Sequence, residues 1–238
     1  MLKCVAVIIT TCFVYSNLRY VIFGPEGVAH IPLFIMNKAL SWSGLATIGL
    51  SKVLRQTEAS RKAGLLGALM IGMHVVVSLL ILRPEYLGKF FNSIDGMRMT
   101  WKGEAAILSG VLGLACLTCL LWNTATTHKE ADKSIRIRSV LQWSINALLF
   151  CGALHVAFMG WDDWFEPTKW AKFGYLPPIT MLSFLTAVIF LFVRRPNVKT
   201  RRQDEWRIES WRQMKALLIY FQDAQRFFEF CVFNFVFE

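Results

Sequence analysis

The sequence predicts an all-α integral membrane protein, a bundle of six transmembrane helices with both termini on the cytoplasmic side. Three observations carry this. The 238 residues are 55% hydrophobic with a mean hydropathy of +0.45, too apolar for a soluble domain whose polar residues must cover its surface. Charged residues make up 18% of the chain and gather in short clusters between apolar runs of about 18 to 25 residues, the length that crosses about 30 Å of hydrocarbon. The basic clusters also alternate in strength along the chain, as the positive-inside rule requires.

The first span is expected over residues 2–23. Lys3 followed by an apolar run resembles a secretory signal, but no small-x-small cleavage site follows, so the segment reads as a helix. Further spans are expected at 31–50, 64–82, 104–124, 139–160 and 177–193. Lys52, Arg55, Arg61, Lys62, Lys129, Lys133, Arg136, Arg138, Arg194, Arg195, Lys199, Arg201 and Arg202 fall on one side. Arg83, Lys89, Arg98, Lys102, Lys169 and Lys172 fall on the other, a balance of thirteen to six. The richer side is the cytoplasmic one.

The loop over 161–173, WDDWFEPTKWAKF, holds three Trp whose amphipathic rings favour the headgroup region. Residues 1–195 form the membrane domain. Residues 196–238 read as a basic amphipathic cytoplasmic tail, with Trp206, Trp211, Met214, Leu217, Leu218 and Phe221 at helical spacing. Its last segment, FFEFCVFNFVFE, is too short to span and reads as a surface for lipid or a partner subunit.

The net charge of +10 does not point to nucleic acid, because Lys and Arg flank apolar spans instead of forming one basic surface. The lipid bilayer is the expected partner. The six cysteines lie almost entirely in apolar stretches and predict no disulfide framework. Cys116 and Cys119 form a C-x-x-C with no further ligand at zinc-like spacing, and read as buried thiols.

Histidines are the informative residues. His74 and His155 fall inside expected spans, where an ionisable group is costly and has a partner. A rise of about 1.5 Å per residue puts them roughly 12 Å and 8 Å from the same face. Two neutral imidazoles at one depth on separate helices suit the axial positions of a single b-type haem. No C-x-x-C-H motif is present for covalent attachment. His30, at a helix mouth, and His128, in a loop, read as solvated, and Glu104 as a helix-start carboxylate. Neither a dinucleotide-binding nor a phosphate-loop motif occurs, so electrons are expected from a separate donor.

The order of several short motifs resembles the transmembrane domain of the six-transmembrane epithelial antigen of the prostate (STEAP) metalloreductases, of the ferric-reductase-like superfamily. They are Phe13, Tyr15, Leu18, Arg19, Val21 and Ile22; Ile31, Pro32, Asn37 and Lys38; Arg61, Lys62, Gly64, Leu65, Leu66, His74, Ser78 and Leu79. They continue with Trp101, Lys102, Glu104, Gly110, Gly113, Leu114 and Ala115, then His155, Gly160, Trp161, Tyr175, Pro177 and Pro178. The resemblance covers about residues 10–195 and implies a ferric-reductase-like bundle with His74 and His155 as haem iron ligands. It also implies a cytoplasmic flavin (FAD) whose electrons pass singly through the haem to a ferric, cupric or oxygen acceptor outside.

Arg61, Lys62, Arg138 and Gln142 are the candidates for the flavin. Leu141 and Gln142 stand one position out of register with the family's Gln-Ser pair, and the family's nicotinamide-binding domain has no counterpart in these 238 residues. An anionic ferric chelate would be drawn by Arg83, Lys89, Arg98 and Lys102, while Asp162, Asp163 and Glu166 reduce the local charge. The alternative expectation is a haem-containing accessory or structural subunit of a larger membrane redox complex, or a homo-oligomer, that uses its tail to dock.

Overall fold

A computed structural model describes residues 1–54, 58–91, 98–126 and 134–193; the side chains of residues 85, 123–126 and 134–139 fall outside the description. The expected tail over 196–238, and His128, therefore lie outside the described residues. The described chain is all-helical, without a strand, and joined only by one isolated bridge between Phe91 and Met99.

Helix α1 (Leu2–Asn17) continues as a π-helical turn over Leu18–Ile22. Its buried residues, Val5, Cys12, Ser16 and Arg19, form one helical stripe that packs on α2. A second π-turn, Ile31–Ile35 with Pro32 near its start, leads into α2 (Met36–Val53). α3 (Glu58–Leu80) runs back along α2. The one-turn α4 (Pro84–Leu87) precedes the long α5 (Trp101–Thr126) and α6 (Ser134–Trp164), which pack along their lengths. α7 (Pro167–Trp170) is one turn, and α8 (Ile179–Phe192) closes the bundle against α6 and α2.

Four helices are long and apolar enough to cross a membrane, over Leu2–Ile22, Glu58–Leu80, Trp101–Trp122 and Val140–Trp164. Each shows a lipid-facing stripe; on α3 it is Leu65, Leu69, Met73, Val76 and Leu80. Six of the exposed aromatics gather at the two ends of the helices, while Phe150 is exposed in the middle of α6. Trp101, Trp161 and Phe165 lie at one end, with Trp122, Trp143 and Phe192 at the other. Trp101 to Trp122 on α5 is about 32 Å and Trp143 to Trp161 on α6 about 27 Å at 1.5 Å per residue, bracketing the hydrocarbon thickness.

Two expected spans differ in kind from these four. α2 is the central helix: α1, α3, α6 and α8 surround it and most of its residues are buried, so it carries Asn37, Ser43, Thr47, Ser51 and Lys52 without presenting them to lipid. α8 has 14 residues, about 21 Å of helix and shorter than the hydrocarbon core. Lys52 compensates for its abrupt end. Its Nζ donates to the carbonyls of Phe190 (2.6 Å) and Leu191 (3.0 Å), satisfying acceptors that a helix C-terminus leaves open.

Small residues set the close crossings. Cβ atoms at Gly44 and Gly67 would strike Ile71 and Ile48, so α2 and α3 meet through these two positions. Leu45, Ile48, Ile71, Leu117, Leu148, Leu149 and Phe190 belong to the main core cluster. That core ends one turn short of His74 and two turns short of His155, giving the histidines an apolar floor. α3 meets α5 and α6 along far less of its length than it meets α2.

Candidate haem site

His74 of α3 and His155 of α6 come together with ring centroids 6.2 Å apart and ring planes at 78°. Two metal–imidazole bonds of about 2.0 Å, with roughly 1 Å from each nitrogen to its ring centre, separate two axial imidazoles on one iron by about 6 Å.

Both rings are fixed through the nitrogen that a metal would not use. Nδ1 of His74 lies 2.7 Å from Oδ1 and 3.1 Å from the backbone oxygen of Asn37. Asn37 is itself held by Ser78, to whose Oγ its Nδ2 donates at 3.0 Å. Nδ1 of His155 lies 2.7 Å from the carbonyl of Ala106. Acceptor oxygens at both Nδ1 atoms fix the tautomer with hydrogen there, leaving each Nε2 lone pair for a metal.

The approach of α5 depends on Gly110, one turn from Ala106, where a Cβ would sit 3.3 Å from Nδ1 of His155. Among the described residues there is no cluster of three or more His, Cys, Asp or Glu suited to a metal ion. A bis-imidazole site asks for two protein ligands, with the other four supplied by the porphyrin. The donor set fits a haem iron and does not fit a protein-only zinc or iron site.

Asn37, Ser78 and Gly110 appear in the sequence only as motif positions, and their role in orienting the rings is visible only in three dimensions. The signal present was two polar side chains in apolar spans. Ala106 acts through its backbone carbonyl, which no side-chain pattern reveals.

The remaining candidates divide between the two ends. Arg61 is exposed, and Lys62 pairs with Glu58 one turn earlier on α3. Gln142 is half-buried on α6, and Arg138 lies on the same helix with its side chain outside the description. Lys62 and Gln142 stand about 18–20 Å of helix away from the histidines, so they are not part of this site.

At the histidine-proximal end, Lys102 and Thr100 join Lys89, Met99, Trp101 and Asp162 around an open depression of about 520 Å³. The cations that line it, Lys89 and Lys102, and the neighbouring Lys169 are all paired with acids. Lys102 binds Asp162 (2.7 Å), Lys89 binds Asp163 (3.5 Å), and Lys169 binds Glu166 (3.1 Å) and Asp163 (3.7 Å). Partial burial and the nearby Lys38 lower the pKa of Lys89, while Asp163 acts against them. Arg83 and Arg98 are exposed. The expected attraction for an anionic chelate is therefore reduced by acids at the end of α6, which hold Lys102 at the start of α5 and Lys89 between α4 and α5.

His30 is partly exposed and lies 3.6 Å from Glu26. Glu104 stands in the first turn of α5, where its charge meets the positive end of the helix dipole. Neither contributes to the histidine pair. The chain matches no protein-family model and no curated protein.

Proposed function

We propose that this chain is a six-span, STEAP-like electron-transfer protein that holds one b-type haem between His74 and His155 and passes single electrons across the bilayer. The observation that carries the reading is the pair of imidazoles 6.2 Å apart, each anchored at Nδ1 by an acceptor on a neighbouring helix. The haem supplies a one-electron iron centre. The protein's own part is to supply two neutral imidazoles, fix their rotation, and exclude water with the apolar core beneath.

α2 and α8 are the two further spans. The excess of Lys and Arg at the end away from the histidines makes that end cytoplasmic, with both termini there. A separate reductase or flavoprotein delivers electrons at this face. Arg61, Lys62, Arg138 and Gln142 are positioned along the sequence to meet an FAD phosphate or ring. The acceptor, a ferric or cupric ion or oxygen, is reduced at the opposite face near the depression bordered by Trp101 and Lys102.

A second reading has its own support in the ion pairs of Lys89 and Lys102 with Asp163 and Asp162. They neutralise the mouth above the histidines and suit a haem subunit that relays electrons inside a larger membrane complex. The deciding experiment is the dithionite-reduced minus oxidised spectrum of the detergent-purified full chain, with pyridine haemochrome quantitation. One b-type haem per chain is the expected result, and a chain free of haem after gentle purification overturns the reading. Ferric-chelate reduction by the isolated chain with reduced flavin then separates a reductase from a relay subunit.

A further inference from the structure

Arg19 and Lys38 form a pair of cations on either side of Tyr20 in the histidine-proximal half of the bundle, and Tyr20 supplies a hydrogen-bond partner to Arg19 but no formal countercharge. Arg19 is 4% exposed, and its Nε and Nη1 have no hydrogen-bond partner. Its guanidinium lies 4.4 Å from the ring centre of Phe173 and 5.4 Å from that of Tyr20. Nζ of Lys38 lies 4.8 Å from the same Tyr20 ring and 4.4 Å from Phe34. Among the described residues no carboxylate pairs with either cation. Aromatic faces recover part of the cost of burying charge, but an orphaned buried guanidinium N–H is expensive and points to a missing acceptor.

The placement is specific. Arg19 and Tyr20 lie within the π-turn Leu18–Ile22, and Lys38 follows the π-turn Ile31–Ile35; such turns re-aim side chains and collect at functional sites. Gly174 and Tyr175, with φ of 60° and 57°, reverse the chain directly after Phe173, and a Cβ on Gly174 would strike Phe23.

Lys38, Leu45 and Gly49 share one stripe of α2, seven and eleven residues apart. Leu45 meets Gly152 of α6, and Gly49 meets Phe190 of α8, so Lys38 stands on the inward stripe. Counting from the Leu45–Gly152 level at about 1.5 Å per residue, Lys38 lies about 6 Å beyond His155 toward the near face. Its neighbour Asn37 holds His74.

We infer that Arg19 and Lys38 are the anchor for the propionate carboxylates of the haem carried by His74 and His155. The inference rests on the haem reading and deepens it. A porphyrin between the two rings with its carboxylate edge turned toward the near face brings two anions to two cations. Arg19 Nε and Nη1 then gain acceptors through charge-assisted hydrogen bonds.

The test is a titration of haem-depleted full-length protein in detergent with ferric protohaem and, separately, with its dimethyl ester, which lacks the two charges. The wild type is expected to bind protohaem at least about tenfold more tightly than the ester, as loss of charge-assisted hydrogen bonds predicts. The double variant R19Q/K38M is expected to bind the two alike, with an unchanged low-spin spectrum and a lower reduction midpoint, because removing cations disfavours the added electron. Equal affinity of the wild type for haem and ester overturns the anchor even if the variant does not fold, as does an undiminished preference in a folded variant. A wild type that forms no low-spin complex with either compound overturns the haem reading, and the anchor with it. A low-spin complex without discrimination overturns the anchor alone.

Discussion

Asn37 Oδ1 accepts from Nδ1 of His74 at 2.7 Å, so a residue on α2 decides how an imidazole on α3 is presented. Outer partners of this kind set ring orientation and ligand basicity. Asn37→Leu removes the side-chain acceptor and leaves the backbone oxygen at 3.1 Å. The expected outcome is retained haem with affinity weaker by about 10- to 100-fold and altered low-spin g-values, read by electron paramagnetic resonance and haem titration.

His74→Ala and His155→Ala are each expected to abolish the low-spin spectrum, because one remaining imidazole leaves an open coordination position. An unchanged reduced spectrum in either variant refutes the assigned pair.

Gly110→Leu is expected to act on His155 while leaving both proposed iron ligands in the sequence. The Cβ alone meets Nδ1 at 3.3 Å, so a larger side chain pushes α5 and the Ala106 carbonyl away from the ring. Haem loss with the helical circular dichroism signal intact is the expected result, whereas normal haem occupancy rejects this role for the glycine.

Lys52→Met removes the ammonium that donates to the carbonyl of Phe190 at the end of α8. A buried acceptor left unsatisfied costs about 1–3 kcal/mol. Thermal denaturation in detergent should show an earlier transition, with haem lost together with the fold and not before it.

Lys102 and Asp162 are both partly exposed, so their link is modest. Either single charge reversal should weaken the link between the start of α5 and the end of α6, and the double reversal Lys102→Asp with Asp162→Lys should restore it. A coupling of about 0.2–1 kcal/mol is expected, shrinking as salt rises.

Apolar periodicity placed the helices well. The expected spans 2–23 and 177–193 lie within about two residues of Leu2–Ile22 and Ile179–Phe192. The spans 64–82 and 139–160 fell short at the ends where Glu58, Arg61 and Lys62 or Trp161 to Trp164 extend the helices, because charged and interfacial residues continue a helix past the apolar stretch. Hydropathy also treated α2 as one more span. Its central position, which lets it bury Lys52 and Asn37, depends on neighbours far away in sequence.

By itself the sequence determined that the chain is a helical membrane protein and that His74 and His155 are costly in lipid, since burial of apolar runs and the price of an intramembrane imidazole are local properties. Tertiary structure alone decided that the two rings stand 6.2 Å apart, that Asn37 and the Ala106 carbonyl orient them, and that Lys89 and Lys102 are spent on Asp163 and Asp162. These relationships join residues 37 to 74 positions apart in the chain. They arise from how glycine-mediated crossings bring helices together, which helical periodicity within any one segment does not encode.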